Sequence, residues 1–299
     1  MRNIPLWLGG TLLAFLVFVA FVGPHLPFID ADLSKERSRW VMKNGEEKLV
    51  LPAFKPSSKN LLGTDKEGVD NLSRLVVGAK ETILFVLAIA AVRYIIAVPL
   101  GIMARKKTGF CHRLITFWNQ LFSYMPPVFA SALLLALPFL LFAQYRLAWA
   151  ILILASVEVG RVAVTVQEQA YKLSREPYME ASSALGLRTR TLTKNYYVPI
   201  MFPEMVVNFC LDMGKVLLLL GQLAIVNIFL GHEWKEVDYY TMEFVETGLN
   251  WATILARHRT DIFLGKFEYV FYPACAMMIA IVTFNLLAEG LRRRFQVRG

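Results

Sequence analysis

Residues Ile4–Phe28 contain no Lys, Arg, Asp or Glu. Five further apolar blocks follow: Glu81–Ala104, Leu114–Tyr145, Leu147–Gln167, Phe202–Leu230 and Tyr269–Ala288. About 20 apolar residues carry a helix across a ~30 Å hydrocarbon layer. A chain crossing that layer must satisfy its backbone polar groups internally, which favours helices. The pattern predicts an all-α membrane protein with six transmembrane helices. The first block is too long for a secretory leader and lacks a small-x-small cleavage site. It reads as an uncleaved span over residues 1–28. Composition agrees, with 56% hydrophobic residues and a mean hydropathy of +0.48.

The net charge is +9. In a membrane chain this excess points to cytoplasmic loops facing anionic lipid, with no nucleic acid partner. Arg105, Lys106, Lys107 and Arg113 form one short basic loop, and Arg292, Arg293 and Arg294 end the last span. Both are placed in the cytoplasm, so both termini are expected there. Cys111, Cys210 and Cys275 are scattered without a Cys-x-x-Cys and read as packing residues. His25, His112, His232 and His258 are isolated, so no metal site is expected.

Residues 29–80 read as an extracytoplasmic loop and an amphipathic lead-in helix. Its second half is Leu62-Gly-Thr-Asp-Lys-Glu-Gly-Val-Asp-Asn-Leu-Ser-Arg-Leu-Val-Val-Gly-Ala-Lys80. Gly63 and Gly68 permit tight turns, and Asp65 and Asp70 are suited to turn or cap hydrogen bonds. The sequon Asn71-Leu-Ser is a weak signal by itself. Residues 81–299 read as a five-helix core with a cytoplasmic loop at 168–200 and an extracytoplasmic segment at 231–268. That outer segment is expected to carry short amphipathic helices, with Trp234, Tyr239, Tyr240 and Trp251 at the headgroup level or, as the alternative, against a soluble partner.

Several spans carry polar groups. A buried arginine such as Arg93 must face protein or water. It reads as a structural pair or pore-rim charge, with a substrate contact as the alternative. Glu158 and Arg161 lie three apart and can neutralise each other. Asp212, Lys215, Gln222 and Asn227 share one span. They read as a lining for a water-filled path or as interhelical hydrogen-bonding groups. Pro126 and Pro127 must break or kink the third span, because neither can donate a backbone hydrogen bond.

The polar stretch Tyr178–Pro199 lies between two apolar ones. Helix formers and small residues run through Leu185, and Gly186 ends them as a glycine just past a short helix does. Arg188, Arg190 and Lys194 follow, then Pro199. A helix ended by glycine on the inner face of a membrane domain is suited to docking a soluble partner. The chain has no Gly-x-x-x-x-Gly-Lys-Ser/Thr, His-Glu-x-x-His or Gly-x-Ser-x-Gly. It has no phosphate-cradling loop or hydrolase motif of its own, and it reads as a non-enzyme.

Tyr178–Pro199 resembles the Glu-Ala-Ala…Gly loop of permease subunits of ATP-binding-cassette importers. Glu180, Ala181, Gly186 and Pro199 fall at the motif positions. Ser182 replaces the third residue, and Tyr196 and Val198 stand where isoleucine and leucine are usual. Leu62–Lys80 is similar to a signature of the second (C-type) subunit in the dipeptide/oligopeptide branch. Gly63, Thr64, Asp65, Gly68, Asp70, Ser73, Arg74 and Gly78 match it, whereas Val69 and Lys80 replace arginines. Phe284-Asn-Leu-Leu-Ala-Glu-Gly-Leu-Arg292 is similar to the ending of those subunits.

The resemblance implies a type I importer permease fold in a prokaryotic cytoplasmic membrane. It implies a B-type permease partner, two cassette ATPases carrying ATP and Mg, and an extracytoplasmic binding protein. No cofactor is expected on this chain. The implied coupling residues are Glu180, paired with an ATPase arginine; Ala181, Ser182, Ala184 and Leu185 in the contact; Gly186 as the helix break; and Pro199. Peptides are the implied cargo. Nickel chelates or opines in the same machine, and an ion-driven carrier using Asp212 and Lys215, remain alternatives.

Overall fold

The computed structural model describes residues 3–43, 46–228, 230–238 and 241–296. Among these, five helices are long and apolar enough to cross a membrane. The first, α1 (Ile4–Phe21), is capped by Asn3, whose side chain accepts from the Leu6 N–H. It buries only Gly9, Leu16 and Ala20, and shows Trp7, Phe15 and Phe18 outward, as a lipid-facing helix should.

The outer loop forms a hairpin, β1 (Arg39–Lys43) with β2 (Glu46–Val50). The helix α2 (Asn71–Met103) then begins at Asp70, whose carboxylate accepts from the Ser73 N–H at 2.7 Å. The lead-in and second span are therefore one helix of 33 residues. At 1.5 Å per residue it is about 50 Å long, so it projects well beyond the hydrocarbon layer.

The third crossing is not a single helix. It is divided into α3 (Gly109–Ser123), α4 (Pro127–Leu135) and α5 (Pro138–Leu141). Each later piece starts on a proline, which fits the first helical turn, where its missing N–H costs no hydrogen bond. The helix α6 (Arg146–Ser174) is followed by α7 (Pro177–Ala184) and α8 (Thr189–Leu192). A π turn at Thr193–Tyr197 leads into α9 (Val198–Ile225).

The outer segment differs from the expected run of short helices. It opens with a second hairpin, β3 (His232–Asp238) with β4 (Thr241–Glu246), in which Lys235 lies opposite Glu243. The β-branched and aromatic content of this stretch suits a pleated surface. Only then come α10 (Trp251–His258) and a 3₁₀ turn at Arg259–Leu264, before α11 (Glu268–Gln296). Tyr239 and Tyr240, and the side chain of Trp234, lie outside the described residues. Trp251 is buried rather than at a headgroup surface, and its indole donates to the Leu75 carbonyl at 2.8 Å.

The core centres on α2, which packs on α6, α9 and α1. Glycines set the closest approaches, as in other membrane bundles. A Cβ on Gly160 would stand 2.6 Å from the Asn119 backbone nitrogen on α3, and one on Gly101 would stand 2.7 Å from the Ala163 carbonyl on α6. The start of α1 packs on the end of α11, where Asn3 donates to the Gly290 carbonyl at 2.7 Å. The start of α9 meets the same end of α11, where Val207 and Ala288 are buried together. The described termini, the α2–α3 loop and the 168–200 segment thus share one end of the bundle. Both hairpins and α10 occupy the other.

Candidate functional site

The helix α7 stands off the end of α6 on a fixed base. Met179, 3% exposed, enters a cluster with Leu173, Leu192, Tyr197 and Met201. Tyr178 stacks on Tyr196 with ring centroids 6.4 Å apart. Under this cluster, Lys107 pairs with Glu168 at 2.6 Å, and Gln167 donates to the Ala104 carbonyl at 2.6 Å. Arg175 lies over the Tyr171 ring at 4.6 Å, and Arg105 over that of Tyr197 at 5.3 Å. These contacts tie the ends of α2, α6 and α9 into one platform.

Gly186 follows α7 in the left-handed region, with φ +75°. Nothing lies within 4 Å of where its Cβ would be, so the backbone turn, not crowding, is what calls for glycine. Glu180, Ala181, Ala184, Leu185 and Gly186 are all exposed. Leu185 is 83% exposed, an unusual position for a leucine at the tip of a short helix. Ser182 turns the other way: it is 9% exposed and its hydroxyl donates to the Tyr178 carbonyl at 2.7 Å. Pro199 is exposed near the start of α9. The sequence-predicted docking residues thus form one outward face, with Ser182 holding it from behind and Pro199 set apart on the next helix.

A second polar site lies between α2, α6 and α9. Arg93 is 1% exposed. It donates to Asp212 Oδ2 at 2.7 Å, to the Leu154 carbonyl at 2.8 Å and to the Ala155 carbonyl at 3.4 Å. The other Asp212 oxygen accepts from Arg161 at 3.1 Å, and Arg161 also pairs with Glu158. Beside this network is a cavity of about 120 Å³, lined by Tyr94, Arg161, Thr165, Asn208, Asp212 and Lys215. Arg93 sits behind the cavity wall. Gln222 lies further along α9 and Asn227 just past its end; neither lines the cavity, and the Asn227 side chain accepts from Arg259 of the outer segment.

The glycine-rich motif of the first outer loop forms a latch at the opposite end. Gly63 and Gly68 take φ +67° and +81°. Thr64 accepts from the Phe54 N–H at 2.9 Å. Asp65 accepts from the Glu67 and Val69 N–H groups at 2.9 Å and pairs with Arg74 at 2.6 Å. Ser73 donates its hydroxyl to Asp70 at 2.7 Å. Gly78 lets the Leu249 carbonyl approach closer than any Cβ would permit.

Arg74 continues to His258 Nε2 at 2.9 Å, and His258 Nδ1 meets Asp261 at 2.9 Å; Lys66 also pairs with Asp261. Burial holds the His258 pKa below its usual 6.5. Burial alone would raise that of Asp261, but hydrogen bonds from Lys66 and His258 bring it below the ordinary carboxylate value. His258, Asp261 and Lys66 were absent from the sequence-based candidates. No local spacing marks them, because the partners of Arg74 and Lys66 lie more than 180 residues away. Among the described residues, no group of three His, Cys, Asp or Glu side chains could hold a metal.

Comparison with known proteins follows the same lines. The chain is 25% identical over 258 residues to the probable D,D-dipeptide transport system permease protein DdpC of Escherichia coli (strain K12). That match covers 85% of this chain and 80% of the relative. It is 22% identical over 285 residues to the glutathione transport system permease protein GsiD of Pectobacterium atrosepticum, covering 95% and 84%. Residues 97–298, which include α7, Glu158, Arg161, Asp212, Lys215 and α11, match the family described as binding-protein-dependent transport system inner membrane component. With about two thirds of its length matched, the chain belongs to that family of permease components.

Proposed function

We propose that this chain is the membrane-spanning subunit of an ATP-driven importer of small peptides. In this reading it works beside a second permease, two cassette ATPases that carry ATP and Mg, and an extracytoplasmic binding protein. The observation that carries the reading is the outward face Glu180–Gly186, set on a rigid platform at the end of the bundle that also bears the basic loops. Lys and Arg concentrate in the cytoplasmic loops of inner-membrane proteins. Arg105, Lys107, Arg188, Arg190 and Arg292–Arg294 therefore support a cytoplasmic position for this end and for both termini.

In this mechanism, closure of the ATPase pair moves α7. The buried Met179 cluster passes the motion to α6 and α9 as rigid bodies, and the bundle rocks between two states. Leu185 and Ala184 supply apolar contact, and Glu180 supplies the charge that meets an ATPase arginine. Peptide cargo is supported by the names of the relatives, a D,D-dipeptide permease and a glutathione permease. In an ion-driven carrier Asp212 would have to take up and release a proton, whereas here it is held between two arginines.

The test is uptake of a labelled dipeptide in cells expressing the full gene cluster, with and without this chain. Uptake should be lost on deletion and restored by the intact chain. If deletion leaves peptide uptake unchanged while nickel uptake falls, the cargo assignment is wrong.

A further inference from the structure

The cavity between α2, α6 and α9, together with the ion pairs behind its wall, carries one more positive than negative group. Arg93, Arg161 and Lys215 face Glu158 and Asp212. Both oxygens of Asp212 are already engaged, one by Arg93 and one by Arg161. Glu158 is engaged by Arg161. Lys215 is three residues beyond Asp212 and lines the same cavity. Among the described residues it forms no ion pair within 4 Å. Arg161 keeps 40% of its side chain exposed beside it.

By the rise of a helix, Asp212 and Lys215 stand about 20–25 Å from the coupling end of α9, well inside the hydrocarbon layer. A lone ammonium there is costly unless it faces water or an anion. The cavity volume is about 120 Å³, room for about four waters or for one carboxylate group. The phenol of Tyr94 and the amide of Asn208 add neutral donors to its wall.

We propose that Lys215 and the exposed edge of Arg161 form an anion station part-way across the membrane, which takes the terminal carboxylate of a passing peptide. The site would serve as a weak halfway stop in which the salt-bridged Arg93–Asp212 pair fixes the wall and Lys215 supplies the free charge. The identity of the anion as a peptide terminus rests on the importer reading above; the positive potential of the cavity does not.

The experiment places a reporter thiol at Asn208→Cys in a chain carrying Cys111→Ala, Cys210→Ala and Cys275→Ala. The complete importer is reconstituted in vesicles. The rates of modification by an anionic sulfonate and a cationic ammonium methanethiosulfonate are compared. The anionic reagent should be favoured. Lys215→Gln should lower the anion-to-cation rate ratio about tenfold, the effect of one unit charge ~5 Å away in a high-dielectric cavity on reagents of opposite sign. Lys215→Arg should keep the ratio. A dipeptide with a free carboxylate should slow modification, and its C-terminal amide should not.

An unreactive thiol, or a ratio unmoved by Lys215→Gln, would overturn the station. So would loss of the partner permease from the Lys215→Gln complex, because the counter-charge would then be a protein acid at the subunit interface. Peptide uptake by the wild-type vesicles is read in parallel. Normal anion preference without peptide uptake or protection would sink the importer reading and the peptide assignment, while the positive cavity would stand.

Discussion

Replacing Arg93 by methionine removes the most buried cation of the bundle and tests what its ion pair contributes. The guanidinium makes three hydrogen bonds, one to Asp212 at 2.7 Å and two to α6 carbonyls, and is 1% exposed. Removing one partner of such a pair typically costs about 3–5 kcal/mol, because the other charge stays buried. Asp212 keeps Arg161 at 3.1 Å, so the lower end, about 3 kcal/mol, is expected. At roughly 2 °C per kcal/mol for a chain of this size, the midpoint of thermal unfolding in detergent should fall by about 6 °C. The double variant Arg93→Met/Asp212→Leu removes both charges and leaves Arg161 paired with Glu158. Buried ion pairs exchanged for apolar residues are often close to neutral, so the double should return to within about 2 °C of the parent. The assay is intrinsic fluorescence during a thermal ramp of Arg93→Met, Asp212→Leu, the double variant and the parent. A single variant as stable as the parent, or a double that loses the sum of two singles, would refute the assignment of Arg93 to a coupled buried pair.

Three other outcomes follow from the geometry. Gly186→Val places a β-branched residue at φ +75°, at a cost of about 1–2 kcal/mol or more; peptide uptake should collapse while membrane insertion is unchanged, and Gly186→Asn, which tolerates that backbone region, should retain more uptake. Gly160→Ala pushes a methyl to 2.6 Å from the Asn119 backbone on α3; overpacking of this kind costs about 1–3 kcal/mol, visible as a lower unfolding midpoint, whereas alanine at the open position Gly10 should have little effect. His258 has a lowered folded pKa, so the unfolded chain binds the extra proton more readily and stability rises with pH. Its contribution should be complete above about pH 6.5 and be lost as pH falls toward the lowered folded value; protonation also removes the acceptor for Arg74. Unfolding midpoints measured from pH 5 to 8 should show this slope in the parent and a weaker one in His258→Asn.

Much of this arrangement was legible in the residues themselves. Long apolar blocks marked the long helices, because the bilayer leaves the backbone few alternatives. Gly186 after a run of helix formers marked the end of α7, since the left-handed turn is a local requirement. Arg93 announced a buried partner, but nothing in its neighbourhood named Asp212, which lies 119 residues away. Pro126 and Pro127 predict a break or kink in the third span, and its division into three pieces follows once Pro138 adds a further break. Neither outer hairpin is legible in the sequence, and the 231–268 segment reads as short helices instead, because short strands paired only to each other leave weak periodic signals. The link from Arg74 to His258 and Asp261 was invisible, because it arises only when α10 docks on α2.

The central claim is that the face Glu180–Gly186 hands the motion of a nucleotide-binding partner to the bundle. The most direct measurement uses Leu185→Cys, 83% exposed at the tip of this face in the isolated subunit. Inverted and right-side-out vesicles containing the complete importer are treated with a short bifunctional thiol reagent, with and without ATP. The account predicts a crosslink to the ATPase subunit, labelling of the free thiol from the cytoplasmic side only, and a crosslinking yield that changes with nucleotide. Labelling from the outer side, or an assembled complex in which this position crosslinks to no ATPase in any nucleotide state, would contradict it.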